Sequence, residues 1–219
     1  LSMNNANNIV SGALKGTVKG LVATIPGGSL LVSIVDEIQN GIFQDRFNEW
    51  KENVEERLSN LEESVVKELP KNDIFATVLL ISAQLALKTN KEKIKLLANA
   101  VANSATTNLP EERVVLLLNC IEKYTIPHLM LLRFLQNPRE YNPSDSIWMG
   151  ATITVYDDYY PKRDKSLDKV IIRDLYSDGL ISTDSLSTTM TKDGMLAKKT
   201  TDLGDNFIEF FGIEQYKDE

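Results

Sequence analysis

The chain has 219 residues, enough to bury a sizeable core as one large domain or two small ones. Its 42% apolar and 25% charged residues are ordinary for a globular protein, and a net charge of −7 disfavours nucleic acid as the default partner. The single cysteine, Cys120, excludes an intrachain disulfide and suits a reducing cytoplasm.

The charge is uneven: residues 36–69 hold ten acids against four bases, which leaves the remainder near neutral. Leu1-Ser2 ahead of Met3 read as a cloning remnant, with Met3 as the expected native start. Residues 20–35 carry no charge, but the run is shorter than the roughly 20 residues a span needs and Pro26-Gly27-Gly28 interrupts it. The glycine-rich start also lacks the basic n-region of a signal peptide, so neither a span nor a leader is expected.

Residues 9–25 predict a weak helix, because Gly12, Gly16 and Gly20 each cost about 1 kcal/mol against alanine. The three share one face and leave a smooth groove, so with Pro26, Gly27 and Gly28 they form a candidate close-packing or membrane-facing element. Lys15 and Lys19 add a mildly basic side, which leaves surface association with anionic lipid as an alternative to packing. The segment is not a phosphate loop, since no lysine stands between the second glycine and the threonine. A second apolar run, 30–38, leads into the next helix.

Residues 43–69 predict one long amphipathic helix, with Phe43, Phe47, Trp50, Val54, Leu58, Leu61, Val65 and Leu69 on its inner stripe. Glu49, Glu52, Glu55, Glu56, Glu62 and Glu63 make a solvated acid face; with no accompanying histidine they are not read as metal ligands. Asp73 is the expected N-cap of 74–87, which is apolar on nearly every face and therefore central in a bundle. Further helices are expected over 91–105, over 114–124 after Pro110, and from 125–127 to Gln136. Residues 139–143 form a turn-rich joint.

Beyond it, 146–160 is read as a helix although Ala-Thr-Ile-Thr-Val-Tyr has strand propensity. Asp164 should cap a helix over 165–177 with Leu167, Val170, Ile171, Leu175 and Tyr176 inward, ended by a left-handed Gly179. Residues 180–181 and 195–200 read as a short hairpin with Asp193-Gly194 among its turn signals, and Thr201-Asp202 opens a last helix to Phe211. The expected fold is mainly α: a helical bundle over 9–137, then a winged-helix-like region over 138–219 with a small β-hairpin.

That last reading rests on the order helix, helix, Asp-Leu-Tyr-Ser-Asp-Gly-Leu-Ile, two strands, then Thr-Thr-Asp-Leu-Gly-Asp-Asn-Phe-Ile, which looks like a winged helix. The resemblance makes 128–136 the first helix, 146–160 the second, and the helix before Asp178-Gly179 the recognition-type helix. In the middle of the chain, Ile-Lys-Leu-Leu-Ala-Asn-Ala-Val-Ala-Asn-Ser-Ala, Glu-Glu-Arg-Val-Val-Leu-Leu-Leu-Asn-Cys-Ile and His-Leu-Met-Leu-Leu-Arg-Phe-Leu, with the terminal Thr-Asp-Leu-Gly-Asp-Asn-Phe, resemble the bacterial abortive-infection alpha family over about 74–211. This resemblance implies a helical protein associated with phage defence and transfers no catalytic residue.

No catalytic constellation is legible. Cys120 and His128 fall on neighbouring helices without a third, orienting group, and one His with one Cys cannot build a metal set unless carboxylates do the whole job. The expectation is a non-enzymatic, cytoplasmic component of phage defence with no cofactor and no small-molecule substrate, acting through a protein partner or as a homo-oligomer. Two alternatives stand beside it. One is a DNA-binding regulator using Lys165, Lys169, Arg173, Lys198 and Lys199, with Lys162 and Arg163 nearby and Asp164, Asp168 and Asp174 interleaved. The other is a membrane-perturbing effector using the N-terminal segment.

Overall fold

The computed structural model describes residues 41–141 and 149–213. The glycine-faced segment with Gly12, Gly16, Gly20, Pro26, Gly27 and Gly28, and the apolar run 30–38, lie outside these residues. The mainly helical fold expected from the sequence is observed, with a two-stranded antiparallel sheet as the small β element. By packing, the chain divides into Leu1–Asn119 and Cys120–Glu219. The sequence joint at 137/138 lies one helix later.

In the N-terminal unit, α1 (Gly41–Leu58), α3 (Asp73–Lys88) and α4 (Lys91–Ser104) pack on one another, joined through the short α2 (Glu63–Glu68) and a 3₁₀ turn, Leu69–Lys71. As its near-uniform apolarity predicts, α3 packs against both α1 and α4. Its N-cap is Asn72, whose side chain accepts from Phe75 N at 2.9 Å, so Asp73 takes the first helical position instead. Trp50, Val54 and Leu58 bury the inner stripe of α1 against a core that includes Phe75, Val78, Ile94 and Leu97. Trp50 Nε1 donates to Ser82 Oγ at 2.7 Å, which satisfies the one polar atom this stripe must bury.

The single helix expected over 43–69 is broken. Ser59 Oγ and Asn60 Nδ2 both donate to Glu56 O, and Asn60 N and Leu61 N close tight three-residue turns, so the carbonyls of the last turn are taken. Phe43, at the exposed beginning of α1, is not in the core.

The helix α5 (Glu111–Lys123) spans the division and ends at Tyr124. The C-terminal unit then holds α6 (Ile126–Gln136), strand β1 (Met149–Gly150), α7 (Thr152–Tyr159), α8 (Asp168–Ser177), strand β2 (Met190–Thr191), the single-turn α9 (Lys192–Met195) and α10 (Asp202–Phe211). The helix order matches the winged-helix-like reading, but the strands are differently placed. β1 pairs with β2 in the register Met149↔Thr191 and Gly150↔Met190. The expected partners 180–181 and 195–200 meet only through one antiparallel bridge, Ile181↔Thr200, beside a Ser182 N to Lys199 O bond of 2.8 Å. Thr191 Oγ1 accepts from Gly194 N, so Asp193-Gly194 turns into α9 rather than closing a hairpin.

The two motifs behind the winged-helix resemblance meet in space. α8 ends with Leu180 N bonded to Leu175 O and Gly179 N to Tyr176 O, the paired bonds of a Schellman cap, with Gly179 at φ +75° as expected. Thr201 caps α10 by accepting from Gly204 N, and its hydroxyl donates to Gly179 O at 2.6 Å. Thr201 N donates to Leu180 O at 3.0 Å. A Cβ on Gly204 would lie 2.1 Å from Leu180 O, so only glycine admits this approach.

Candidate interaction face of the C-terminal unit

Asp164 caps the 3₁₀ turn Lys165–Leu167 by accepting from Ser166 N, and α8 begins three residues later than expected, at Asp168. Ile171, Ile172 and Leu175 face inward. Leu167, Val170 and Tyr176, expected inward, are exposed at 43%, 42% and 47%. The spacing explains the correction: Ile171, Ile172 and Leu175 define one narrow stripe, while Lys169, Val170, Arg173 and Tyr176 fall together on the opposite side of the helix.

The five lysines and arginines proposed for DNA do not form one free cationic face. Lys199 is 6% exposed, and its ammonium donates to the carbonyls of Gly194 and Ala197 at 3.0 Å and Met195 at 3.4 Å. Burial depresses its pKa, and it acts as an internal cap on the carbonyls at the end of α9. Lys198 is paired with Asp205, and Lys165 with Asp157 at 2.8 Å. Burial works against ionisation of Asp205, but Lys198 and Thr200 hold its carboxyl below the usual range. Arg173 meets only its sequence neighbour Asp174, at 3.3 Å, and Lys169 forms no ion pair among the described residues.

Arg163 is also withdrawn from the surface set. It lies 4.4 Å over the Tyr156 ring and is held between Asp157 and Asp168, the latter at 2.8 Å. Burial opposes its charge, but the two carboxylates overcome that and raise its pKa. Lys162, Lys169 and Arg173 stay exposed, and Lys165 and Lys198 are exposed but paired with carboxylates.

Beside α8 lies a part-buried polar knot. Tyr124 Oη donates to Asp178 Oδ2 at 2.7 Å, and Lys123 Nζ meets the same oxygen at 2.9 Å. His128 stacks on Tyr124 with ring centroids 4.9 Å apart, and its Nδ1 accepts from Thr125 N at 3.2 Å, the capping contact expected from its place in the first turn of α6. Nε2 therefore carries the proton. It is buried without a hydrogen bond, 3.7 Å from Asp174 Oδ2.

Burial lowers the His128 pKa and favours its neutral form, and it raises the Cys120 pKa and disfavours the thiolate. The Tyr124 phenol is held protonated, by burial first and then by Asp178. Among the described residues no cluster of three or more His, Cys, Asp or Glu could hold a metal ion, and no helix is long and apolar enough to cross a membrane. No family model, curated protein or solved structure matches the chain.

Proposed function

We propose that this chain is a non-enzymatic component of bacterial phage defence that acts through protein contacts in the cytoplasm. The observation that carries the reading is the outward face of α8. The helix that would read DNA in a winged helix presents Val170 and Tyr176 to solvent, while Lys199 is buried and Lys165 and Lys198 are paired at the surface with Asp157 and Asp205. Exposed apolar side chains beside cations suit a protein surface better than a phosphate backbone. The buried, protonated Cys120 and Tyr124 support a role without covalent chemistry, and the lone free thiol fits a reducing compartment. The link to phage defence comes from the sequence resemblance.

Phage plating on a host with and without the gene tests it. Reduced plaque counts are expected with the wild type, and a Val170→Asp/Tyr176→Asp variant that folds normally should lose protection. Equal counts for hosts with and without the gene across a broad phage panel would overturn the reading.

A further inference from the structure

We propose that the outward face of α8 docks on the outward face of α1 of a second copy of this chain, as an antiparallel helix pair. The inference rests on the reading of α8 as a protein-contact face and names the occupant. Among the described residues eight large apolar side chains stand exposed, and five of them gather at two places: Ile42 and Phe43 open α1, and Leu167, Val170 and Tyr176 lie on or beside α8. The charges around the two places are opposite. On α1, Ile42 shares a stripe with Asp45, Glu49, Glu52 and Glu56. Asp45, Glu52 and Glu56 are exposed and form no ion pair among the described residues, while Glu49 reaches Lys91 only at 3.9 Å. On α8, Lys169 and Arg173 share the stripe of Val170 and Tyr176.

The spacings also match. Ile42, Asp45 and Glu49 are separated by three and then four residues; Tyr176, Arg173 and Lys169, taken in reverse, are separated by three and then four. Laid antiparallel, Ile42 meets Tyr176, Asp45 meets Arg173, and Glu49 with Glu52 flanks Lys169. Each step is about 5–6 Å along both axes, so the pairs stay in register for two turns. Because the two faces differ, the contact is heterologous: each copy offers one acidic and one basic face. A contact of one helix pair lies at the small end of interfaces, so the association is concentration-dependent and salt-sensitive.

Sedimentation equilibrium of the full chain over a range of concentrations, at low and high salt, tests this. The wild type is expected to rise above one chain mass with concentration at low salt and to return to it at high salt. Asp45→Lys/Glu52→Lys and Lys169→Glu/Arg173→Glu should each stay at one chain mass. Their equimolar mixture should associate again at low salt, because both faces of one variant are then basic and both faces of the other acidic. Circular dichroism of each variant establishes that it is folded, and the mixture requires both to be. A wild type that stays at one chain mass at every low-salt concentration would overturn the proposal, as would association that survives either reversal or a mixture that does not pair. Plaque counts do not enter this readout, so it fails or succeeds separately from the defence reading.

Discussion

The two packing units are held together by different means. In the N-terminal unit three helices of 14 to 18 residues bury continuous apolar stripes, and the Trp50–Ser82 bond is a minor polar detail within them. In the C-terminal unit no described helix exceeds 11 residues, and the chain is tied by bonds from side chains to backbone. Thr152 Oγ1 donates to Met195 O, Lys199 Nζ to three carbonyls, and Thr201 Oγ1 to Gly179 O. The contrast teaches that long helices stabilise one another by area, whereas short ones need their free ends satisfied by specific partners.

The largest effects should separate the units by mechanism. Leu97→Ala removes a fully buried side chain from the N-terminal unit and should cost about 2–5 kcal/mol. Gly204→Ala adds only a methyl group to a helix, a change that in an exposed helix gains about 1 kcal/mol. Here that methyl meets the Leu180 carbonyl, so a loss of about 1–3 kcal/mol is expected instead. Hydrogen exchange read peptide by peptide checks both, with faster exchange in 73–104 for the first and in 175–211 for the second. A Gly204→Ala protein as stable as wild type would break the comparison.

A smaller effect is expected at the polar knot. Tyr124→Phe keeps the stacking on His128 and the contact with Phe207 but leaves Asp178 without its buried donor, a loss of about 1–2 kcal/mol by denaturant unfolding.

The smallest is a pH effect. Burial lowers the His128 pKa below its ordinary 6.5 in the folded protein, even with Asp174 nearby, so the unfolded chain takes up the proton first. The stability tied to neutral His128 is therefore complete above pH 6.5 and is lost as pH falls below it, with a slope of at most about 1.4 kcal/mol per pH unit. His128→Gln keeps an acceptor for Thr125 N without titrating, and should flatten unfolding midpoints between pH 6.5 and 5. An unchanged slope in that variant would assign the pH dependence elsewhere.

How much was legible follows the same division. The stripe Trp50, Val54 and Leu58 and the all-round apolarity of α3 placed the N-terminal helices, because periodicity reports burial directly when an element is long. The break after Leu58 was hidden, since Leu61, Val65 and Leu69 keep helical spacing through a turn made by Ser59 and Asn60. In the C-terminal unit, Gly179 and Thr201 were legible as a left-handed stop and a helix start because their chemistry is local. The β1–β2 pairing was not, since it joins residues some forty positions apart through two-residue strands that carry no alternation. For the candidate face, charge alone grouped Lys165, Lys169, Arg173, Lys198 and Lys199. Nothing in composition marks Lys199 as the one that turns inward to cap carbonyls.

The sequence by itself determined a mainly helical chain, the stop at Gly179, the start at Thr201 and a concentration of acid on α1. These are short-range properties, set by propensity, period and residue type. Only the tertiary structure decided which cations are withdrawn, that the Gly179–Leu180 and Thr201–Gly204 motifs lock together, and that α8 turns Val170 and Tyr176 to solvent. Each of those depends on a partner distant in sequence, and such a partner is fixed when the chain packs.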